Sequence, residues 1–345
     1  MEAAVTIGLD LGKSVFQVHG VNRDGVVVVQ RRFTRARLLA FFAKQPGCLV
    51  GMEACAAAHH WARELQKLGR RPKLMPPRYV KPYVKRQKND AADAEAICEA
   101  VGRPNMRFVP IKTREQQAVL ALHRVRALLV RQRTATINAL RGLLTEFGVV
   151  AGKGTQRISD LNERMGKLSA EVLPDEGREA LTCLFNQIDD LGLRIHAVER
   201  RIIAWHRASE ASQRLASAPG VGPITATALV AAVGDGTQFK SARHFAAWLG
   251  LTPRVRASGE KERIGRITKG GDRYLRTLLI HGARAVVGTT FRKGVTVRPW
   301  LAALVNRRPV NVAATAVAHK TARALWAMLT RCEAYRRSAG LSAAA

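Results

Sequence analysis

"VTIGLDLGKSVFQVHGVNRDGVVVVQRRF", residues 5–33, decides the fold of the first third of the chain. It contains the β-rich runs "VTIGLDLG", "SVFQVHGV" and "VVVVQRRF", separated by Gly-Lys and by Asp-Gly, the latter a hairpin-turn signal. Strands in such close succession predict an antiparallel meander. Downstream, "RARLLAFFAKQ" reads as a helix, "CLVGMEA" as a buried strand, "AAHHWARELQKLG" as a helix ending at Gly69, and "PKLMPP" as a short strand. The order βββαβαβα predicts an α/β domain, a mixed sheet with helices packed on it.

Two of these strands carry an acid that the pattern does not need. Asp10 lies within an apolar run and Glu53 ends another, where an uncompensated buried carboxylate costs several kcal/mol. "GLDLGKS" is not a P-loop, because three residues rather than four separate its first glycine from Gly-Lys-Ser. Further on, "KNDAADAEA" (88–96) places Asp90 and Asp93 nearly one helical turn apart, on one face, with Glu95 pointing elsewhere. A helix start with Asp90 as cap explains that pair alone, and salt bridges to buried arginines explain Asp10 and Glu53. Taken together, the four carboxylates suit two hard divalent cations held by oxygen ligands, the arrangement used in phosphoryl transfer. His59, His60 and His244 have no spacing that links them to these acids.

The basic run before the acids, with Lys81, Lys85, Arg86 and Lys88, reads as a nucleic-acid backbone contact. The chain as a whole carries 57 Lys+Arg against 26 Asp+Glu, a net charge of +31, which points to a polyanionic partner. The excess is greatest in residues 211–345, with 22 bases and 5 acids. These cations are spread over every segment rather than gathered on one amphipathic helix, which argues against a lipid surface. The N-terminus lacks a signal-peptide core, and the uncharged stretch 215–234 is broken by Pro219, Gly220, Gly222 and Pro223, so no membrane partner is expected. Five cysteines without a CxxC pair read as reduced thiols of a cytosolic protein.

The organisation beyond the sheet is helical. Residues 114–147 and 178–209 form long breaker-poor segments, and Leu181, Leu184, Ile188, Leu191, Ile195, Val198, Ile202 and Trp205 make a heptad seam. That seam predicts an extended helical hairpin or a coiled-coil dimer arm. "LASAPGVGPITATALVAAVG" has the pattern of a helix-hairpin-helix, with Gly220 and Gly222 in the turn that would meet a phosphate. "TPRVRASGEKERIGRITKGGDR" sets Ser258 among Arg254, Arg256, Lys261, Arg263, Arg266, Lys269 and Arg273; from the residues alone it is a flexible phosphate-binding loop. The expected division is 1–110 for the sheet domain, 111–210 for the long helices and 211–340 for the helical C-terminal domain.

The stretches "GLDLGKS", "GMEACAAAHHWARELQKLG", "KPYVKRQKNDAADAEAICEA", "PGVGPITA" and "LGLTPRVRASGEKERIGRITKGGDRYLR" resemble, in order and spacing, the DEDD insertion-sequence transposases of the IS-one-ten family, and most closely its IS-eleven-eleven branch. The resemblance implies a RuvC-like, RNase H-fold first domain, a coiled-coil insertion and a helical transposase domain. It also implies that Asp10, Glu53, Asp90 and Asp93 bind Mg²⁺, as two ions, and that Ser258 is a nucleophile. By the same resemblance the protein is a homo-oligomeric recombinase of DNA, guided by an RNA encoded in the element, in the nucleoid of a prokaryotic cytoplasm. One departure is Ala56, where many members have glycine soon after the glutamate. The rival readings are a DNA invertase or junction nuclease using water on the same fold, an actin-like kinase, and a non-enzymatic nucleic-acid-packaging protein.

Overall fold

The computed structural model describes residues 3–85, 89–150, 158–259, 261–293 and 299–336. The chain forms two compact units, Met1–Arg114 and Glu115–Ala345.

The first unit is built on a five-stranded sheet of order β3-β2-β1-β4-β5, with β1 (Thr6–Leu11), β2 (Val15–Val21), β3 (Val27–Thr34), β4 (Leu49–Glu53) and β5 (Arg71–Met75). β1, β2 and β3 are antiparallel, while β4 and β5 run parallel to β1, so the sheet is mixed as the strand order predicts. Asn22 shapes the β2–β3 turn by accepting from the backbone N–H groups of Asp24 (3.0 Å) and Val26 (2.9 Å), with Gly25 at φ 81°. One face of the sheet, with Ile7, Leu9, Phe16, Val18, Val50 and Met52, is buried under α1 (Arg35–Lys44) and α2 (Ala58–Lys67) through Leu38, Phe42, Trp61 and Leu65. The chain then passes a short α3 (Pro77–Val80) and a 3₁₀ turn (Lys81–Tyr83) to reach α4 (Asp90–Val101), which covers the opposite face.

Two facing glycines set how closely α4 lies on that face. A Cβ on Gly8 would overlap the Ala94 carbonyl and the backbone of Cys98, and one on Gly51 would stand 2.8 Å from the Val101 Cβ. Helix and sheet are therefore in backbone contact, and side chains at these two positions would push them apart.

In the second unit α5 (Arg114–Glu146) and α7 (Asp175–Ala208) are each about 50 Å long. They pair antiparallel: Trp205 Nε1 donates to Glu115 Oε1 (2.9 Å), Arg126 Nε to Glu199 Oε1 (2.7 Å), and Ile137, Leu140 and Leu144 pack with Leu181, Phe185 and Ile188. α6 (Ile158–Gly166) closes one end of this pair with Leu161 and Met165. The heptad seam is thus largely spent inside one chain, as an extended helical hairpin.

The rest of the unit has one core from α8 (Glu210–Ala216), α9 (Pro223–Val233), α10 (Ala242–Trp248), α11 (Arg273–Lys293), α12 (Pro299–Arg307) and α13 (Val310–Arg331). Gly220, at φ 78°, lies against the backbone of Gly282 in α11, an approach that a Cβ on either residue would block. A buried polar knot joins this core to the helical hairpin. Tyr274 O–H donates to His123 Nδ1 (3.1 Å), and His123 Nε2 donates to Thr227 Oγ1 (3.0 Å), whose hydroxyl donates on to the Pro223 carbonyl (2.8 Å). Burial, assisted by the Arg126 charge, pushes His123 down to about 4, so the imidazole is neutral.

Between α10 and α11 the sequence reading of a flexible loop is corrected. Residues Pro253–Ser258 (β6) and Lys261–Ile267 (β7) form an antiparallel two-stranded ribbon. Val255, Ile264 and Ile267 supply its β-branched positions, but their neighbours are charged and β6 has no buried residue, so no hydrophobic period marks it. Among the described residues no helix is long and apolar enough to cross a membrane.

Candidate active site

The parallel register of β1 and β4 runs from Thr6↔Leu49 to Leu9↔Met52, so Asp10 and Glu53 are the next residues on adjacent strands, about 5 Å apart along the backbone. Each follows its glycine, Gly8 or Gly51, by two residues, so both lie on the α4 side of the sheet. Both are half-buried. Their charges converge on the Cys55 thiol: burial raises its pKa first, a backbone hydrogen bond lowers it, and Glu53 and Asp10 raise it further.

α4 runs back along β1. Its Cys98 Sγ lies 3.6 Å from the Thr6 carbonyl and Ala94 lies over Gly8, which directs the first turn, with Asp90 and Asp93, toward the Asp10–Glu53 end. The fold brings the four backbone positions to one corner. The side chains are not drawn in further: Asp90 is exposed, Asp93 is half-buried, and among the described residues no group of three or more His, Cys, Asp or Glu is gathered closely enough to hold an ion. Mutual repulsion of carboxylates favours such spreading.

The capping role expected of Asp90 belongs to its neighbour. Asn89 Oδ1 accepts from the Ala92 N–H at 2.7 Å, and the Asp93 N–H donates to the Asn89 carbonyl at 3.0 Å. Asn89 is a strong cap one residue earlier, and it leaves the Asp90 carboxylate without that task. Glu95 pairs with Lys85 at 3.1 Å, and Lys85 also reaches Glu99 at 3.5 Å, so this lysine, read as a phosphate contact, is engaged with acids. Lys81 is exposed, whereas Arg86 and Lys88 lie outside the described residues.

Arg35, on the α1–α2 side of the sheet, carries no sequence signal. The Arg35 guanidinium lies 5.3 Å from the Trp61 ring and 5.7 Å from that of Phe16, and donates to the Lys13 carbonyl at 3.1 Å, which fixes the loop directly after Asp10. Ala57, capping α2, sits at φ 69° in the left-handed region, so the conformation suited to glycine falls one residue after the noted Ala56. His59 Nδ1 accepts from the Lys112 N–H, His60 stands edge-on to Trp61, and His244 lies in the Ser241-capped first turn of α10.

In the second unit Ser258 ends β6, paired with Lys261 across a turn that includes Gly259 at φ 57°. Arg256, two residues back on the same face, is paired with Arg263, while the Val255–Ile264 pair occupies the other face. Arg254 donates to the Thr268 carbonyl at 3.1 Å. Arg256, Arg263 and Arg266 are exposed, as are Lys269 and Arg273 at the foot of the ribbon; the Lys261 side chain lies outside the described set.

The foot itself is closed tightly. Arg276, 8% exposed, donates through one nitrogen to the carbonyls of Leu249 (3.0 Å) and Gly270 (2.9 Å), one on each side of the ribbon, and a Cβ on Gly271 would overlap the Trp248 carbonyl. An exposed tip thus rises from an anchored foot. The turn read as phosphate-binding is divided: Gly220 packs inward on Gly282, and Gly222 is the exposed cap of α9.

Half-buried acids at neighbouring strand ends in one unit, and an exposed cationic ribbon in the other, are features suited to handling a polyanionic strand. A family model described as "Transposase IS116/IS110/IS902 family" matches residues 212–295, and an IS110-type DEDD transposase model matches residues 7–149. The chain is 52% identical over 331 residues to a probable family 20 transposase of Pseudomonas aeruginosa, covering 96% of this chain and 98% of that one. It is 43% identical over 331 residues to the transposase for insertion sequence element IS1111A of Coxiella burnetii (96% and 91%) and 39% identical over 332 residues to that of IS1328 of Yersinia enterocolitica (96% and 98%). The chain belongs to the IS116/IS110/IS902 family of DEDD transposases. Its substrate is DNA, and family membership implies strand cleavage and transfer with dependence on a divalent metal.

Proposed function

We propose that this transposase cuts and rejoins DNA through a covalent phosphoserine on Ser258, with Asp10, Glu53, Asp90 and Asp93 holding Mg²⁺ as two ions. The observation that carries the reading is the placement of Ser258 at an exposed ribbon tip, on the same face as the Arg256–Arg263 pair. Those guanidiniums would bind the non-bridging oxygens of the scissile phosphate. The Oγ–P bond forms as the bond to one strand's oxygen breaks, and the serine's proton ends on that departing oxygen as a strand hydroxyl; attack by another strand's hydroxyl end reverses the step and returns a proton to the serine.

The acid corner fits hard cations by its chemistry: all four donors are carboxylates, and bare glycines let α4 lie close enough to contribute two of them. Bound there, divalent ions would offset the charge that builds on the attacking and leaving oxygens. The three antiparallel and two parallel strands accord with the RuvC-like, RNase H-fold reading. The charge of +31 supports a second polyanion, an element-encoded guide RNA, beside the DNA. By the same reading the protein acts as a homo-oligomer on the nucleoid, the long helical hairpin pairing with a second copy.

The test uses end-labelled DNA bearing the element's ends. The full chain should give a protein–DNA adduct that survives denaturing electrophoresis, and Ser258→Ala should give none. An adduct persisting in that variant removes the serine, and strand cutting without any adduct assigns the attack to water.

A further inference from the structure

One strongly charged part of the second unit takes no part in the site above. From Arg284 to Cys332 the chain carries nine Lys/Arg and no Asp or Glu. Within that stretch Trp300, on α12, is 46% exposed, the largest apolar side chain left open to water in this unit among the described residues. It is not a displaced core residue, because Leu301 and Leu304 of the same helix face inward, at 1% and 9% exposure. Arg307, seven residues and about two turns on, shares the outer side with Trp300. α13 supplies Lys320, whose Nζ stands 4.7 Å from the indole centroid, and Val312, eight residues earlier on that helix, is 50% exposed.

We propose that Trp300 is a stacking platform for an unpaired nucleotide, with Lys320, Arg307 and Arg308 taking the adjoining phosphates. A cation already rests on the ring, nearly half of the side chain is open, and the stretch of chain that carries both holds no acid that would repel phosphate. Aromatic platforms lined by cations bind single strands with little regard to sequence, because every base has a π-face. The same face of a second copy is a poor occupant, since a two-fold contact would bring like cations together. A duplex is poor as well, because its base faces are already stacked on one another. The inference depends on the transposase reading only for the kind of polymer. Ser258 has no part in it, so loss of the covalent adduct would leave it standing.

The test compares full-length protein and variants by fluorescence anisotropy at moderate salt, using single-stranded DNA, single-stranded RNA of the same sequence and a DNA duplex, with phosphatidylserine vesicles as a separate arm. Trp300→Ala should weaken single-strand binding roughly five- to hundredfold and duplex binding less than about twofold, while Trp300→Phe keeps most of the affinity. Arg307→Gln with Arg308→Gln should flatten the salt dependence, which Trp300→Ala leaves steep. A loss on RNA alone or on DNA alone supports the platform and identifies its natural strand. Unchanged single-strand affinity, an equal loss on duplex, a Phe variant as weak as the Ala variant, or a loss confined to vesicles would each overturn it. Should circular dichroism show Trp300→Ala unfolded, Lys320→Gln decides: weaker single-strand binding supports the platform, and unchanged binding overturns it.

Discussion

The acid corner and the serine ribbon are built on opposite principles. Asp10 and Glu53 sit at the ends of paired strands, backed by an apolar core on one face and by α4 in backbone contact on the other. Ser258 stands on a two-stranded ribbon whose first strand has no buried residue and which is held at the foot through Arg276 and Gly271. An isolated ribbon of this kind is marginally stable, and its tip can adapt to what it meets. Under the proposed function, the acids that would share a cation are set on rigid elements, and the serine that would reach the DNA is set on an adaptable one.

The sharpest way to break this contrast is to add bulk at each place. Gly8→Val should force α4 off the sheet and cost more than about 3 kcal/mol, abolishing the cooperative melting of the first unit, whereas Val255→Thr on the ribbon should change stability by less than about 0.5 kcal/mol. Thermal denaturation of both variants checks this; equal tolerance would mean that the two regions do not differ in rigidity.

Within the corner itself, Asp93→Asn should reduce strand cleavage at least roughly a hundredfold while DNA affinity changes little, and Glu95→Gln should leave the cleavage rate within about twofold. Cleavage assays in Mg²⁺ beside binding titrations would separate the carboxylates in this way.

A third comparison sets the ribbon's support against pH. His123, beside Tyr274 in the first turn of α11, has its pKa pushed down to about 4 from an ordinary 6.5. The unfolded chain therefore takes up this proton first as the pH falls. The neutral imidazole contributes its full stabilisation above pH 6.5 and loses it on the way down to about 4, a span of about 3 kcal/mol. Urea unfolding of the second unit between these pH values should show the loss, and His123→Gln should flatten it. A smaller change, of opposite sign, is expected at Ala57, where glycine relieves a left-handed backbone: Ala57→Gly should raise stability by about 1 kcal/mol, seen as a higher melting temperature of the first unit.

How far the sequence reveals each region follows from the same physics. Strands of the sheet announce themselves because their apolar residues are buried, and Asp10 and Glu53 stand out because acids in such strands are costly. The start of α4 is legible to within one residue, since Asn89 and Asp90 are both good caps and only the geometry chooses Asn89. The ribbon escapes sequence reading because arginines alternate with Val255 and Ile264 and neither side is buried, so it looks like a polar loop. The heptad seam on α7 fixes an apolar stripe but not its partner, which α5 of the same chain supplies through Ile137, Leu140 and Leu144. Ser258 has no local signature that separates it from a phosphate-binding serine, and its proposed role enters through family resemblance.

The most direct measurement is mass spectrometry of the protein trapped with DNA and digested with nuclease and trypsin. A nucleotide remnant is expected on the peptide Ala257–Lys261, carried by Ser258. A remnant on any other residue, or cleaved DNA with that peptide unmodified throughout, would contradict it.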